Sequence, residues 1–182
     1  MNYLNSILPL LHIHENYLNE KICDEIVEYA EKRPNIFRDR SKEYINYGID
    51  GEIGNYYAAE ISNRSLIPLW EKYFKNLEFD GLTPTEVQLN KYPEGSFIPP
   101  HKDEGIAFHT ISIPLQTNND NYLIFGESEV YSEGINIDKA EKEGKIKVFR
   151  DKKGYGYRFE GTQPIHWVPP VKSNRYSLVV IF

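Results

Sequence analysis

The chain has 182 residues, a length that fits one domain able to bury about 70% of the surface of its unfolded chain. Its hydrophobic fraction of 40% and aromatic fraction of 14% are those of a globular protein, which excludes a disordered chain. The formal net charge of −6 repels polyanions, so a nucleic acid is not expected as a partner. No apolar run approaches the ~20 residues that cross a bilayer, so no membrane partner is expected either.

The single cysteine, Cys23, cannot form a disulfide within the chain. The N-terminal residues lack a basic leader and a small-residue cleavage site, so a secretory signal is not expected. We therefore expect a cytoplasmic protein in a reducing environment. The sequence does not indicate an oligomeric state.

Two helices are predicted in the first half of the chain. The first begins after Asn19, whose side chain can cap the first turn, and it ends before Pro34. Leu18 and Cys23 occupy hydrophobic-staple positions at its start. The second helix is predicted from about Ser65 to Asn76, because apolar residues recur there at helical spacing: Leu66, Leu69, Trp70, Tyr73 and Phe74.

The segment 35–62 between these helices is rich in Gly, Arg and Tyr and has no sustained periodicity. A loop of this length inside a compact domain is either a surface excursion or a functional lid, and both interpretations stay open. Some of its side chains are candidates for substrate contacts, although an ordinary surface position explains them equally well: Arg38, Arg40, Tyr44 and Tyr47.

From Thr83 onward the sequence consists of short β-like runs separated by turn residues. The predicted strands are Glu86–Tyr92, His109–Leu115, Tyr122–Phe125, Lys145–Arg150, Tyr155–Phe159 and Arg175–Phe182. Many short strands behind a helical front are typical of a β-sandwich or jelly roll supported by helices. We predict one domain over residues 1–182, with helical support in about 1–80 and a jelly-roll core in about 83–182.

The stretch PPHKDEG places His101 and Asp103 two residues apart. On an extended segment these side chains project from the same face, so an imidazole and a carboxylate can converge on one metal ion. His166 is the best third ligand among the other histidines, because it opens the last β-like region. Two histidines and one carboxylate leave coordination positions open, as in non-heme iron oxygenases, whereas a structural zinc site is closed.

Arg175 begins an otherwise apolar C-terminal strand, and Ser177 lies on the same face of that strand. A guanidinium in this position needs a partner, because an unpaired buried charge is costly. Its fork suits a carboxylate, which belongs either to a bound ligand or to another side chain of the protein. The residues alone leave both alternatives open.

With these residues the sequence resembles the Fe(II)- and 2-oxoglutarate-dependent dioxygenases, which fold as a double-stranded β-helix, a jelly roll of the cupin type. The resemblance implies that His101, Asp103 and His166 are the catalytic metal ligands. It also implies that Arg175 and Ser177 bind the distal carboxylate of 2-oxoglutarate.

Two further likenesses extend the resemblance to most of the chain. Asn90 and Tyr92, in NKYPEG ahead of the first histidine, match the N-x-Y of AlkB-like members and are implied in 2-oxoglutarate binding. The segment 14–32 resembles the helix that precedes the core in prolyl-hydroxylase-like members. Ile181 stands where AlkB-like demethylases have a second arginine, which argues against demethylation of nucleic acid.

The resemblance implies an oxidoreductase that uses Fe(II), 2-oxoglutarate and O2, hydroxylates a C–H bond and releases succinate and CO2. The expected substrate is a small molecule or an amino-acid-type compound. Two alternatives stay open. One is oxidation of a protein side chain or a nucleic acid, and the other is a cupin-like binding module without catalysis.

Three other features have simpler explanations than a site. His12 and His14 form another pair two residues apart, but a plain edge strand explains them. His109 could line the pocket or replace His166 as a metal ligand, although a structural histidine at a strand start is more common. Basic and aromatic residues alternate in 145–158, a pattern that could bind single-stranded nucleic acid, but a β-hairpin with a solvated charged face accounts for it.

Overall fold

The structure is a computed structural model. It describes residues 3–40, 57–78, 81–103, 109–131, 134–160 and 164–182. The helices of these residues are α1 Tyr3–Ile7, α2 Glu20–Glu31, α3 Ile67–Leu69 and α4 Ile137–Lys142. Short 3-10 turns lie at Leu8–Leu10, Pro34–Ile36 and Ser128–Val130, and a π-helical turn at Trp70–Phe74 follows α3. None of these helices has the length and apolar character needed to cross a bilayer.

The strands form two antiparallel sheets. Their bounds are β1 Leu11–His14, β2 Arg38–Asp39, β3 Tyr57–Glu60, β4 Glu86–Tyr92, β5 Ile98–His101, β6 His109–Pro114, β7 Asn118–Gly126, β8 Ile146–Asp151, β9 Gly156–Glu160, β10 His166–Val168 and β11 Arg175–Ile181. The seven-stranded sheet has the order β1-β9-β6-β11-β4-β3-β2, and the four-stranded sheet has the order β5-β10-β7-β8. From β4 onward the chain passes back and forth between the two sheets, except that β7 and β8 pair as neighbours within the four-stranded sheet. This is a double-stranded β-helix, which confirms the predicted fold class.

The space between the two sheets is filled by an aromatic and aliphatic cluster. It joins Tyr92 and Phe159 of the seven-stranded sheet to Phe125, Phe149 and Val168 of the four-stranded sheet. Each of these side chains is buried, and burying an aromatic side chain stabilises the fold by about 2 kcal/mol. Tyr92, Phe159 and Val168 of this core also line the cavity described below.

Helix α2 covers the outer face of the seven-stranded sheet. The side chain of Asn19 accepts a hydrogen bond from the Lys21 backbone N–H at 2.9 Å, which confirms the predicted cap. Ile26 and Ala30 pack in one cluster with residues of β4, β6 and β11. Helix α4 covers the other sheet, where Ala140 contacts the cluster around Trp167. The predicted helical support of one sheet is therefore present.

The second predicted helix is shorter and less regular than the range Ser65–Asn76. Pro68 lies in the single α-helical turn of α3, and a π-helical turn follows in which Lys75 N–H donates to the Trp70 carbonyl at 3.0 Å. The wider π turn brings Leu69 and Phe74, five residues apart, onto one buried face. The periodicity alone did not reveal that change of pitch.

Two further features of the fold are the paired histidines near the N-terminus and the segment 35–62. His12 and His14 lie on β1, an edge strand paired with β9, as expected. The segment 35–62 is not a plain loop, because β2 and β3 pair with each other and β3 pairs with β4. The lid interpretation of segment 35–62 stays open, because its central residues 41–56, including Tyr44 and Tyr47, lie outside the described residues.

The expected hairpin of residues 145–158 is wrong in its pairing. Strand β8 pairs with β7 in the four-stranded sheet, whereas β9 pairs with β1 and β6 in the other sheet. The connection between β8 and β9 therefore crosses from one sheet to the other. Turn residues at Asp151–Gly154 suit both arrangements, so the local sequence did not distinguish them.

Candidate active site

His101 and His166 are direct cross-strand neighbours. His101 ends β5, His166 begins β10, and the two residues face each other in the antiparallel pairing of these strands. Their ring centroids lie 4.3 Å apart. The pairing register therefore brings the two imidazoles together although they are far apart in the sequence.

Each imidazole is oriented by a backbone carbonyl two residues earlier. Nδ1 of His101 lies 2.9 Å from the Pro99 oxygen, and Nδ1 of His166 lies 3.1 Å from the Pro164 oxygen. A carbonyl oxygen only accepts, so each Nδ1 carries the hydrogen and each Nε2 carries the lone pair that can bind a metal. This is how ligating histidines are commonly fixed in metal sites.

Asp103 completes the cluster. Its Oδ1 lies 4.0 Å from Nε2 of His101 and 3.7 Å from Nε2 of His166. The ligand atoms of all three residues lie within 4.8 Å of one another, which suits a shared ion at about 2.0–2.2 Å from each. Of the residues that the structure describes, these form the one such cluster.

The surroundings prepare the cluster for a metal. The Thr110 hydroxyl donates to Oδ2 of Asp103 at 3.2 Å, which leaves Oδ1 toward the histidines. Burial, followed by the nearby His166, lowers the pKa of His101 to about 4, so this imidazole is neutral and able to ligate at pH 7. Asp103 is 27% exposed and His166 only 8%, so the cluster opens on one side.

The open side faces a cavity of about 410 Å³. The lining includes the cluster itself and three residues that the resemblance implied in co-substrate binding: Asn90, Tyr92 and Arg175. A volume of this size is typical of small-ligand sites. The two predicted groups of residues therefore share one cavity.

Arg175 is 2% exposed and binds a protein carboxylate, one of the two alternatives left open by the sequence. Its Nε donates to Oδ2 of Asp151 at 2.6 Å, and its Nη2 donates to Oδ1 at 3.0 Å. Its guanidinium carbon lies 5.0 Å from the centre of the Tyr92 ring. Sequence reasoning missed Asp151, because it lies 24 residues from Arg175, on the other sheet, without a local motif.

Ser177 and Asn90 are paired across β11 and β4. Both are buried, and neither Oγ of Ser177 nor Oδ1 of Asn90 has a hydrogen-bond partner among the described residues. Buried polar atoms without partners are rare in native proteins and indicate a ligand or water. Asn90 lines the cavity, whereas Ser177 lies beside Arg175 on the same strand face without lining it. These orphan atoms fit a polar co-substrate bound next to Arg175.

Two candidates that the sequence left aside lie away from this cavity. His109 accepts a contact from Nη2 of Arg158 at 3.3 Å and is not part of the three-ligand cluster. The basic segment 145–158 is largely neutralised within the chain. Its ion pairs are Lys145 with Glu143, Arg150 with Glu141, Lys153 with Asp24, and Arg158 with Glu160.

No protein-family model matches the sequence, and no curated protein does. Solved structures with the same architecture do match. A prolyl-4-hydroxylase of Pseudomonas putida is similar with a TM-score of 0.64 and 14% identity, over 98% of both chains. A prolyl hydroxylase of Trichoplax adhaerens, in complex with a hypoxia inducible factor peptide fragment, is similar with a TM-score of 0.60 and 16% identity, over 99% of this chain and 87% of that one.

A further match is an oxidoreductase of the 2OG-Fe(II) oxygenase family from Burkholderia pseudomallei, with a TM-score of 0.56 and 12% identity, over 98% of this chain and 87% of that one. The chain has the fold of the 2OG-Fe(II) oxygenases. At these identities the likeness concerns the fold. The fold implied by the sequence resemblance is therefore confirmed. The His101–Asp103–His166 cluster is consistent with that resemblance.

Proposed function

We propose that the protein is an Fe(II)- and 2-oxoglutarate-dependent dioxygenase that hydroxylates a C–H bond. The observation that carries this proposal is the convergence of two oriented Nε2 atoms and one carboxylate at the wall of a cavity that Arg175 also lines. Two histidines and a carboxylate on one face of an iron leave positions for a co-substrate and dioxygen. A structural zinc site would have a closed ligand set.

The residues of the chain have separate tasks in this proposal. His101, Asp103 and His166 hold the iron, which when bound supplies the oxidation coupled to conversion of 2-oxoglutarate and O2 into succinate and CO2. Arg175 and Tyr92 bind the distal carboxylate, and the orphan atoms of Asn90 and Ser177 gain partners from it or its waters. The protein contributes positioning and exclusion of water, and the cofactor contributes the redox chemistry.

The mouth of the cavity supports an amino-acid-type substrate. Side chains of both charges line the same cavity as the buried site: Arg38, Arg40, Glu60, Glu86 and Lys102. A rim with both signs suits a substrate that carries an ammonium and a carboxylate. Arg38 and Arg40 were candidates for substrate contacts in the sequence, and their position at this rim agrees with that role.

A peptide substrate is the second candidate. The similar prolyl hydroxylase of Trichoplax adhaerens is seen with a peptide fragment, which favours a polypeptide over other macromolecules. Oxidation of nucleic acid is disfavoured, because four of the six basic side chains of segment 145–158 bind carboxylates of the chain itself.

We further propose that residues 1–182 form one domain, because β1–β3 of the front half belong to the same sheet as β4, β6, β9 and β11. A cytoplasmic location remains a prediction that rests on the lone cysteine, which is buried and outside any disulfide.

The deciding experiment is anaerobic addition of Fe(II) and then 2-oxoglutarate, followed by absorption spectroscopy. A visible metal-to-ligand charge-transfer band is expected in the wild type, and succinate should form once O2 is admitted. His101→Ala should lose both signals. His12→Ala, on an exposed edge strand, is the matched control and should keep both. A wild type without the band would mean that the fold serves as a binding module.

The substrate question needs a separate assay. Succinate formation is measured with a panel of free amino acids and with short proline-containing peptides. Stimulation by free amino acids alone supports the small-substrate form of the proposal, and stimulation by peptides alone replaces it with the peptide form.

A further inference from the structure

We propose that Asp151 is a positioning residue for the co-substrate: it holds the guanidinium of Arg175 so that the cavity selects a 2-oxo acid with a distal carboxylate. This inference rests on the proposed function. The resemblance gives no role to Asp151.

The geometry of the pair divides the guanidinium into two sides. Asp151 engages Nε and Nη2 of Arg175 with both of its oxygens. Arg175 lines the cavity, whereas Asp151 does not. The guanidinium has five N–H groups, and two of them bind Asp151. The other three can bind Tyr92 or a ligand in the cavity. Asp151 therefore lies behind the arginine and fixes which edge it presents.

The backbone at both residues is fixed. After Asp151, the turn is held because Gly154 N–H donates to the Pro114 carbonyl and the Leu18 N–H donates to the Gly154 carbonyl, each at 2.9 Å. Before Arg175, the Lys172 N–H donates to Oδ1 of Asn121 at 3.0 Å. The carboxylate and the arginine thus meet from two anchored segments, one on each sheet, so that their relative position does not depend on a ligand.

The ion pair with Asp151 also keeps the Arg175 guanidinium charged. Burial by itself disfavours the charged guanidinium, but Asp151 and Tyr92 raise the pKa of Arg175 above its ordinary value. Arg175 therefore stays charged and oriented without a bound anion. A donor that is oriented in advance binds more tightly, because ordering costs nothing at the moment of binding.

Asp151→Asn tests this role. An amide offers one acceptor oxygen, and its NH2 group faces an N–H donor of Arg175, so the fork loses half of its anchor and turns. We expect the affinity for 2-oxoglutarate to fall about 10-fold. The affinity for 2-oxopentanoate, which has the same metal-binding head without the distal carboxylate, should stay within about 2-fold.

The readout is calorimetric titration of both acids into Mn(II)-loaded protein, which needs no turnover. The quantity compared is the ratio of the two affinities, because a general loss of structure lowers both affinities together. Arg175→Met should bring the ratio close to one, and the double variant Asp151→Asn with Arg175→Met should match it, because Asp151 acts only through Arg175. Glu141→Gln is the matched control: it weakens another carboxylate–arginine pair, that of Arg150 of β8, and should leave the ratio unchanged.

Each outcome decides between the claims. A wild type that binds neither acid, or both equally, contradicts the proposed function itself. A wild type that prefers 2-oxoglutarate, with an equal preference in Asp151→Asn, overturns the role of Asp151 and leaves the function intact. If circular dichroism shows Asp151→Asn to be unfolded, Asp151→Glu takes its place: the added methylene displaces the carboxylate, and a ratio equal to that of the wild type overturns the inference.

Discussion

The two ends of the cavity are built in different ways. At the metal end, two imidazoles lie at strand ends and are oriented by backbone carbonyls two residues away. At the co-substrate end, a charged guanidinium lies in the core and is balanced by a carboxylate from the opposite sheet. The first end depends on local geometry and the second on a long-range ion pair. We therefore expect substitutions at the metal end to weaken metal binding and activity. Substitutions at the co-substrate end should also lower the stability of the fold.

The largest effect is expected at the metal end. His166→Ala removes a ligand atom and leaves the buried Arg175–Asp151 pair intact, so succinate formation should fall at least about 100-fold while the fold persists. Metal affinity is measured by calorimetry and unfolding by urea. The comparison fails if this variant binds Fe(II) like the wild type, or if it does not fold.

Substitutions at the co-substrate end should change the free energy of unfolding. Arg175→Met leaves Asp151 buried without its partner, which should lower the free energy of unfolding by about 3–5 kcal/mol. Adding Asp151→Asn removes the unpaired charge and should restore much of that loss, although not co-substrate binding. Urea unfolding of both variants checks this. Equal stability of the two variants would show that the ion pair contributes little to the fold.

An intermediate effect follows from the pKa of His101. Burial lowers the pKa of His101 to about 4 in the folded protein, whereas in the unfolded chain this imidazole keeps its ordinary pKa of about 6.5. As the pH falls below about 6.5, the unfolded chain therefore takes up a proton at His101 while the folded protein does not. The metal-free protein should therefore lose about 2 kcal/mol of unfolding free energy between pH 7 and pH 5 from this group. His101→Gln lacks this contribution and is compared by urea unfolding at both pH values. Parallel curves for the two proteins would contradict it.

The smallest effect on stability is expected at Ser177. Its hydroxyl has no partner among the described residues, so Ser177→Ala should change the unfolding free energy by no more than about 0.5 kcal/mol in the protein without co-substrate. Affinity for 2-oxoglutarate should still fall about 5-fold, because a hydrogen bond of about 1 kcal/mol to a water that accompanies the co-substrate is lost in the complex. A stability loss well above 1 kcal/mol would mean that the hydroxyl already has a structural role.

The fold was predictable where the residues repeat with a clear period. Strand β4 has the predicted bounds, and β11 differs by its last residue, because alternate apolar residues of both strands pack in the cluster that includes helix α2. Strands β5 and β10, which carry the histidines, were not among the predicted strands. Strand β5 reads IPPH and β10 has three residues, so neither has a periodic pattern, and pairing with neighbours defines both.

The site was predictable to the same extent. The spacing of His101 and Asp103 and the order of His166 and Arg175 are properties of the sequence, so the candidates were found. The partner of Arg175 was not, because the chain has 27 acidic residues and their order along it does not show which one crosses between the sheets. In the sequence, Asp151 directly follows a predicted strand, as an ordinary turn residue would. Its burial is seen only in the structure.

The face-to-face placement of His101 and His166 has a consequence for how such a chain can change over generations. All of β6 to β9 lies between these histidines in the sequence, yet insertions or deletions in the connecting loops leave the imidazole pair untouched. One residue gained or lost within β10 would instead turn His166 to the opposite face of its sheet. Descendants of this protein are therefore free to vary in loop length but are held strictly to the count of residues along two very short strands.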